Sequence, residues 1–524
     1  MALLEVKELT VAFGGTPVLD KVSFSIGKGQ RLGLIGQDGS GKSVAALAVL
    51  GLLPDGAEQT GSLSFDDVPM PDAETERAKL RGRRIGAVAQ SARLGLDPLR
   101  TVGDHVAEAL RLAGQTGDLK PRADAVLKDA GLDGRAAQFP RDLSPAEQQL
   151  AMVAIALCDK PDLLIADEPA SGFDLATERR VLDLIEKNCS ERGMALLLIS
   201  RDLRAVAMLC TRVAVLDRGK LVESGNKADV FGHPKHDHTR ALMAAGRFRA
   251  RTLMRTPIGA PLLEVRNLVR RFGQSDRSLF EPRPPLVALD GVSLAIRSGE
   301  SIALTGPAGS GKSTLGRIIA GLDRATSGEL EFDHEVYHGA DLPRSHRHEI
   351  SFVFNDPARS FNPALTIGES VAEPLRLQPQ RPMEELSARI VEIVTAVGLA
   401  PEMLDRYPHE FAAGDRQRFA IARALITKPR LIILDEPVAT LDIFSRGELP
   451  VLLNRLRAEF GPTYLVIAHE LEMIRVVADR VIVMDKGKIV ATGTPAQLLD
   501  DPLEPVTRAL AVAALPEVGI VPVF

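Results

Sequence analysis

Gly36-Gln37-Asp38-Gly39-Ser40-Gly41-Lys42-Ser43 and Gly306-Pro307-Ala308-Gly309-Ser310-Gly311-Lys312-Ser313 are two copies of the pattern GxxxxGK[ST], and their reading decides the fold. Glycines at this spacing let successive backbone N–H groups turn inward around phosphate, and a helix N-terminus beyond them adds a favourable dipole. Each loop follows an apolar stretch (31–35 and 301–305) and opens a further apolar run. That context separates a phosphate loop from a plain glycine turn. Lys42 and Lys312 are placed to reach the β- and γ-phosphates of ATP, and Ser43 and Ser313 to ligate Mg2+.

Outward from the loops, the chain repeats itself. Lys42 and Lys312 lie 270 residues apart, the Asp-Glu-Pro triplets at Asp167 and Asp435 lie 268 apart, and Gln90 and Asn355 lie 265 apart. Near-constant offsets mean a duplicated unit rather than chance motifs. The seam is short: a basic run over 247–255, then Thr256-Pro257-Ile258-Gly259-Ala260-Pro261 with the punctuation of a linker, then Leu262-Leu263-Glu264-Val265 restarting the pattern of Leu3-Leu4-Glu5-Val6. The expected domains are therefore 1–250 and 262–524, joined by 251–261. A Pro- and Arg-rich stretch over 275–285 reads as a surface loop of the second unit.

The Asp-Glu pairs close strongly apolar strands, Leu163-Leu164-Ile165-Ala166 and Leu431-Ile432-Ile433-Leu434. Short apolar strands alternating with helices give an α/β fold with a mainly parallel sheet. Asp167 and Asp435 are expected to hold Mg2+ through water. Glu168 and Glu436, pointing to the other side, suit a base that polarises an attacking water. The plainer reading is a capping or salt-bridging carboxylate.

Composition is ordinary: 524 residues, 45 % hydrophobic, 25 % charged, net charge -5. No global basic footprint points to nucleic acid. Cys158, Cys189 and Cys210 have no CxxC spacing, which argues against a zinc or iron–sulfur site and for a reducing compartment. The start of the chain lacks the basic and apolar regions of a signal peptide, and no apolar run reaches the ~18–20 residues of a membrane helix.

Over both halves the sequence resembles the ATP-binding-cassette (ABC) family. The resemblance implies two P-loop NTPase modules in tandem, each with a mainly parallel core sheet, an antiparallel β subdomain and a helical signature subdomain. It implies an intramolecular sandwich of the two cassettes, with ATP held between one module's phosphate loop (Gly36, Gly39, Ser40, Gly41, Lys42 and Ser43, or Gly306, Gly309, Ser310, Gly311, Lys312, Ser313 and Thr314) and the other's signature helix. The signature, usually Leu-Ser-Gly-Gly-Gln, is met only loosely by Leu143-Ser144-Pro145-Ala146-Glu147 and Phe411-Ala412-Ala413-Gly414-Asp415; Ser144 and Gly414 match it. Gln90 and Asn355 fall at the loop that senses Mg2+ and contacts membrane subunits. Phe13 and Phe272 fall where an aromatic stacks on adenine, and a core role is equally open for each. Asp174 and Asp442 match the loop that crosses the dimer. His469 matches the switch histidine at the γ-phosphate, and Arg201 stands in its place in the first half.

A narrower similarity, to ATPases of dipeptide, oligopeptide and nickel importers, rests on Asp356-Pro357-Ala358-Arg359-Ser360-Phe361-Asn362-Pro363. It rests also on the paired tail segments beginning His233-Pro234 and Asp501-Pro502. It implies two integral membrane permease subunits, a solute-binding protein, and a peripheral position on the cytoplasmic face of the inner membrane.

Departures from the pattern fall unevenly. The composite site with Lys42, Gln90 and Glu168 has Arg201 for the switch histidine and Ala412 for the facing signature serine. The site with Lys312, Asn355, Glu436 and His469 faces Ser144, and its main loss is the methylene that separates Asn355 from Gln. Arginine donates five hydrogen bonds and accepts none, so it can hold phosphate or pair with Glu168 but cannot act as a neutral imidazole. Ser144, Pro145 and Glu147 also spell a helix-capping box. The expectation is an asymmetric ATPase with most turnover at the second loop. The competing expectation is a twin-cassette factor of translation or regulation; it is disfavoured by the short, proline-rich seam, since such factors usually carry a long charged helical linker.

Overall fold

A computed structural model describes residues 2–71, 73–90, 95–246, 257–273, 286–377, 383–500, 502 and 504–513. The basic run 247–255 and the Pro/Arg-rich stretch 275–285 lie outside the described residues. The chain forms two compact units, one built from 2–173 and 177–246, the other from 174–176 and 257–513.

Each unit holds a six-stranded sheet. In the first its order is Lys220–Asn226, Arg212–Asp217, Arg31–Gly36, Ala195–Ile199, Leu163–Asp167, Ile85–Val88. In the second the corresponding strands follow the same order: Lys488–Gly493, Arg480–Asp485, Ser301–Thr305, Thr463–Ile467, Leu431–Asp435, Ile350–Val353. Only the Lys220–Asn226 and Lys488–Gly493 edges pair antiparallel; every other pairing is parallel. The central strands are buried along nearly their whole length, as the unbroken apolar runs require of a sheet covered on both faces.

A four-stranded antiparallel sheet packs on this core in each unit: Thr16–Gly27, Ala2–Phe13, Ala57–Phe65, Val68–Pro69, and Leu286–Arg297, Pro261–Phe272, Ser327–Phe332, Glu335–Tyr337. Its strands bury one face. In the first unit Leu4, Val6, Leu9 and Val11 join Leu32, Leu34, Val49 and Ile165 in one core while Lys7 and Glu8 stay exposed. A helical layer completes each unit, with Val102–Leu112, Lys120–Asp129 and Pro145–Leu157 in the first and Ile367–Ala372, Met383–Ala396 and Ala413–Leu425 in the second. The expected α/β modules with antiparallel and helical subdomains are thus present twice. Among the described residues no helix is long and apolar enough to cross a membrane.

Candidate nucleotide sites

In a parallel sheet of this kind ligands collect beyond the carboxyl ends of the strands, and the motif residues of each unit gather there. Strand Arg31–Gly36 runs into the first loop and helix Lys42–Leu50 leaves it; Ser301–Thr305 and Lys312–Ile319 do the same in the second. The helices begin on Gly41 and Gly311 in the left-handed region, with φ of 98° and 100°. Gly36 and Gly306 admit no side chain, because a Cβ there would run into the carbonyl oxygen of Leu216 or of Met484 on the neighbouring strand.

The lysines are buried and folded over their loops. Lys42 Nζ donates to the carbonyls of Gly36 (2.8 Å) and Gln37 (2.7 Å), and Lys312 Nζ to those of Gly306 and Pro307 (both 2.8 Å). Burial lowers the pKa of each ammonium, opposed by Asp38 and Glu168 around Lys42 and by Glu436 and Asp435 around Lys312. The arrangement is a fixed cation within a cradle of backbone amides, which suits a polyphosphate.

Asp167 and Asp435 end their strands beside the loop serines. Ser313 Oγ donates to Asp435 Oδ1 at 2.9 Å. Burial raises the pKa of both aspartates, against hydrogen bonds from Ser43 and Ser313. Asp167 Oδ1 is buried with no hydrogen-bond partner in the structure. A buried carboxylate oxygen without a donor, next to a hydroxyl and a phosphate cradle, fits a hard divalent cation with oxygen ligands.

The glutamates that follow take a conformation the sequence pattern did not foresee. Glu168 and Glu436 both have φ of +48°, a left-handed turn that is costly for a non-glycine residue. Their N–H groups donate to Ile199 (2.8 Å) and Ile467 (2.9 Å) on the next strand, which holds the turn in place. The strain recurs at the same position of both units, directly beside the phosphate loop.

Beyond that turn the units diverge. Arg201 donates to Glu168 Oε1 from both its backbone N–H (2.7 Å) and Nε (3.2 Å), while Nη1 meets Asp38 and Nη2 meets Ser171, each at 3.2 Å. Glu168 is 7 % exposed; burial raises its pKa, and Arg201 and Lys42 only partly offset this. In the second unit His469 Nδ1 lies 3.6 Å from Glu436 Oε1, beyond hydrogen-bonding distance, and the Glu436 side chain is 29 % exposed. Burial pushes the Glu436 carboxyl up, but His469 and Lys312 outweigh it and hold the group below its ordinary value.

Lys42, Ser43, Gln90, Asp167, Glu168 and Arg201 line one cavity of about 280 Å3 in the first unit. Asn355 is exposed, two residues past strand Ile350–Val353. Phe13 is half-buried against the core of its unit, whereas Phe272 is 37 % exposed and carries the Arg270 guanidinium 4.3 Å from its ring centre.

Ser144 caps helix Pro145–Leu157 in a full capping box: its hydroxyl donates to Glu147 Oε2 at 2.8 Å and accepts from the Glu147 N–H at 3.3 Å. Arg135 takes the other oxygen of Glu147 at 2.9 Å. Burial works to raise the pKa of this acid, yet Ser144 and Arg135 together lower it, and its charge is spent locally. Gly414, in helix Ala413–Leu425, is buried where a Cβ would strike Ser445, whose hydroxyl donates to Asp442 Oδ2 at 2.8 Å. Sequence reasoning passed over Asp38, Ser171 and Arg135. The one available signal was the mismatch of Asp38 with Ala308 between two otherwise similar loops.

Fold and site together define a tandem P-loop nucleotide-binding protein. The family model for ABC transporters matches residues 19–171 and 289–439, so the chain belongs to the ABC transporter family, as an ATPase with two cassettes. It is 34 % identical over 562 residues to the glutathione import ATP-binding protein GsiA of Shigella dysenteriae, covering 98 % of this chain and 89 % of that protein. It is 35 % identical over 539 residues to the peptidoglycan transport ATP-binding protein YejF of Agrobacterium fabrum, covering 98 % and 96 %. Among solved structures, the dimeric post-hydrolysis ATP-binding cassette MJ0796 with ADP and Pi is 30 % identical and covers 45 % of this chain and 99 % of that one, with a TM-score of 0.40.

Proposed function

We propose that this chain is the ATP-hydrolysing subunit of a binding-protein-dependent importer of peptides or related small solutes. The observation that carries this is likeness along nearly the whole chain, both cassettes included, to two ATP-binding proteins named for glutathione import and peptidoglycan transport. In this reading two integral membrane permease subunits receive the chain at the cytoplasmic face of the inner membrane, around Gln90 and Asn355, and a solute-binding protein delivers the cargo.

Each loop binds one ATP. Lys42 or Lys312 holds the β- and γ-phosphates, and the amides of Gly39–Gly41 or Gly309–Gly311 surround them. Ser43, Asp167 and Gln90, or Ser313, Asp435 and Asn355, hold Mg2+, which neutralises phosphate charge when bound. Glu436 polarises water with His469 beside it, while Glu168, held by Arg201, does so poorly. Phe13 and Phe272 flank the adenine. The two cassettes close on each other so that the Ser144 helix meets the second loop and the Gly414 helix meets the first; one phosphate loop and one signature helix per module support this pairing. Affinity purification of the chain from its own membranes tests the reading. Two permease subunits should come with it, and a chain that sediments with ribosomes and never with membranes would refute it.

A further inference from the structure

The two phosphate loops differ where they line the cleft: Asp38 in the first stands where the second has Ala308. The switch positions differ too, with Arg201 against His469. Both departures belong to the first module, and they touch. Arg201 Nη1 lies 3.2 Å from Asp38 Oδ2, across 163 residues of sequence. The arginine side chain is 13 % exposed and the aspartate 51 %, so a buried cation pairs with a loop carboxylate that stays half in solvent. Both line the cavity with Lys42, Ser43 and Glu168.

A carboxylate that pairs with the switch cation does there what a phosphate would do. A terminal phosphate entering the cradle meets like charge at Asp38 and finds Arg201 already engaged. We propose that Asp38 is an internal competitor for the terminal phosphate in the first module, so that ATP enters by taking Arg201 away from Asp38. The proposal rests on reading the first loop as an ATP site. It implies discrimination between nucleotides, because a nucleoside diphosphate has no γ-phosphate to exchange for the carboxylate and leaves the Asp38–Arg201 pair in place.

The test uses the full chain carrying Lys312→Ala, so that only the first loop binds, titrated with MgATP and with MgADP. Asp38→Ala reproduces the residue of the second loop, and Asp38→Asn keeps the shape while removing the charge. Both should tighten MgATP by about two- to fivefold, the scale of one part-exposed ion pair, and shift MgADP by less than that. Unchanged or weaker MgATP binding in both variants overturns the proposal, as does equal tightening for the two nucleotides. A chain that binds neither nucleotide, with or without Asp38, overturns the ATP reading of the first loop and the competitor with it.

Discussion

Glu168→Gln and Glu436→Gln should have very unequal consequences. Each removes the carboxylate beside a phosphate loop and leaves an isosteric amide. In the first module Glu168 Oε1 accepts two hydrogen bonds from Arg201, at 2.7 and 3.2 Å. To polarise water and take its proton, that carboxylate must give up part of this stabilisation. One charge-assisted hydrogen bond is worth about 1.5–3 kcal/mol, which corresponds to a rate lower by about 10- to 100-fold. The His469 imidazole nitrogen lies 3.6 Å from Glu436, a longer contact than either that Arg201 makes with Glu168. The first loop should therefore supply at most about a tenth of turnover. Removing a general base costs about 10²–10⁴-fold at its own site. Glu436→Gln should leave roughly a tenth or less of steady-state ATPase activity, and Glu168→Gln roughly nine-tenths or more. The assay is phosphate release from the reconstituted complex at saturating MgATP, with bound nucleotide measured in parallel to show that both variants still bind. Equal losses, or the larger loss from Glu168→Gln, would refute the reasoning.

Lys42→Ala and Lys312→Ala should each remove one of two equivalents of bound nucleotide, losing about 1.5–3 kcal/mol of charge-assisted contact; a stoichiometry of one in the unaltered chain contradicts this. Arg201→His in a Glu436→Gln background should raise the residual ATPase by freeing Glu168, and no gain there would mean that Arg201 does not hold the base back. Ser144→Ala should cost about 1 kcal/mol of stability through the lost cap, read as a lower midpoint in urea; an unchanged midpoint would show that the capping box contributes nothing. Gly414→Ala should destabilise by about 1–3 kcal/mol as its methyl presses on Ser445, and a wild-type melting temperature would show that the helix shifts freely.

Much of this was legible in the chain because its elements are encoded locally. The two GxxxxGK[ST] loops, each between an apolar strand and an apolar helix, and the Asp-Glu pairs ending Leu163–Asp167 and Leu431–Asp435 name the fold and its repeat. The capping box over Ser144 and Glu147 is a four-residue pattern, and the structure contains it as read. What local pattern does not encode is the left-handed turn at Glu168 and Glu436, which hydrogen bonds to neighbouring strands impose against intrinsic preference. Nor does it encode the gathering of Asp38, Ser171 and Glu168 around Arg201, residues up to 163 apart that only the sheet topology brings together. Pairing of Arg201 with Glu168 was among the readings arginine chemistry allowed, and the fold selects it.

The central claim is that this ATPase drives import through membrane partners. Its most direct measurement is the ATPase rate of the chain in lipid vesicles with the two permease subunits proposed for it, with and without solute-loaded binding protein. The account predicts low activity for the chain alone, higher activity with the permeases, and a further rise when the loaded binding protein is added. Full activity of the isolated chain, indifferent to permeases and binding protein, would contradict it.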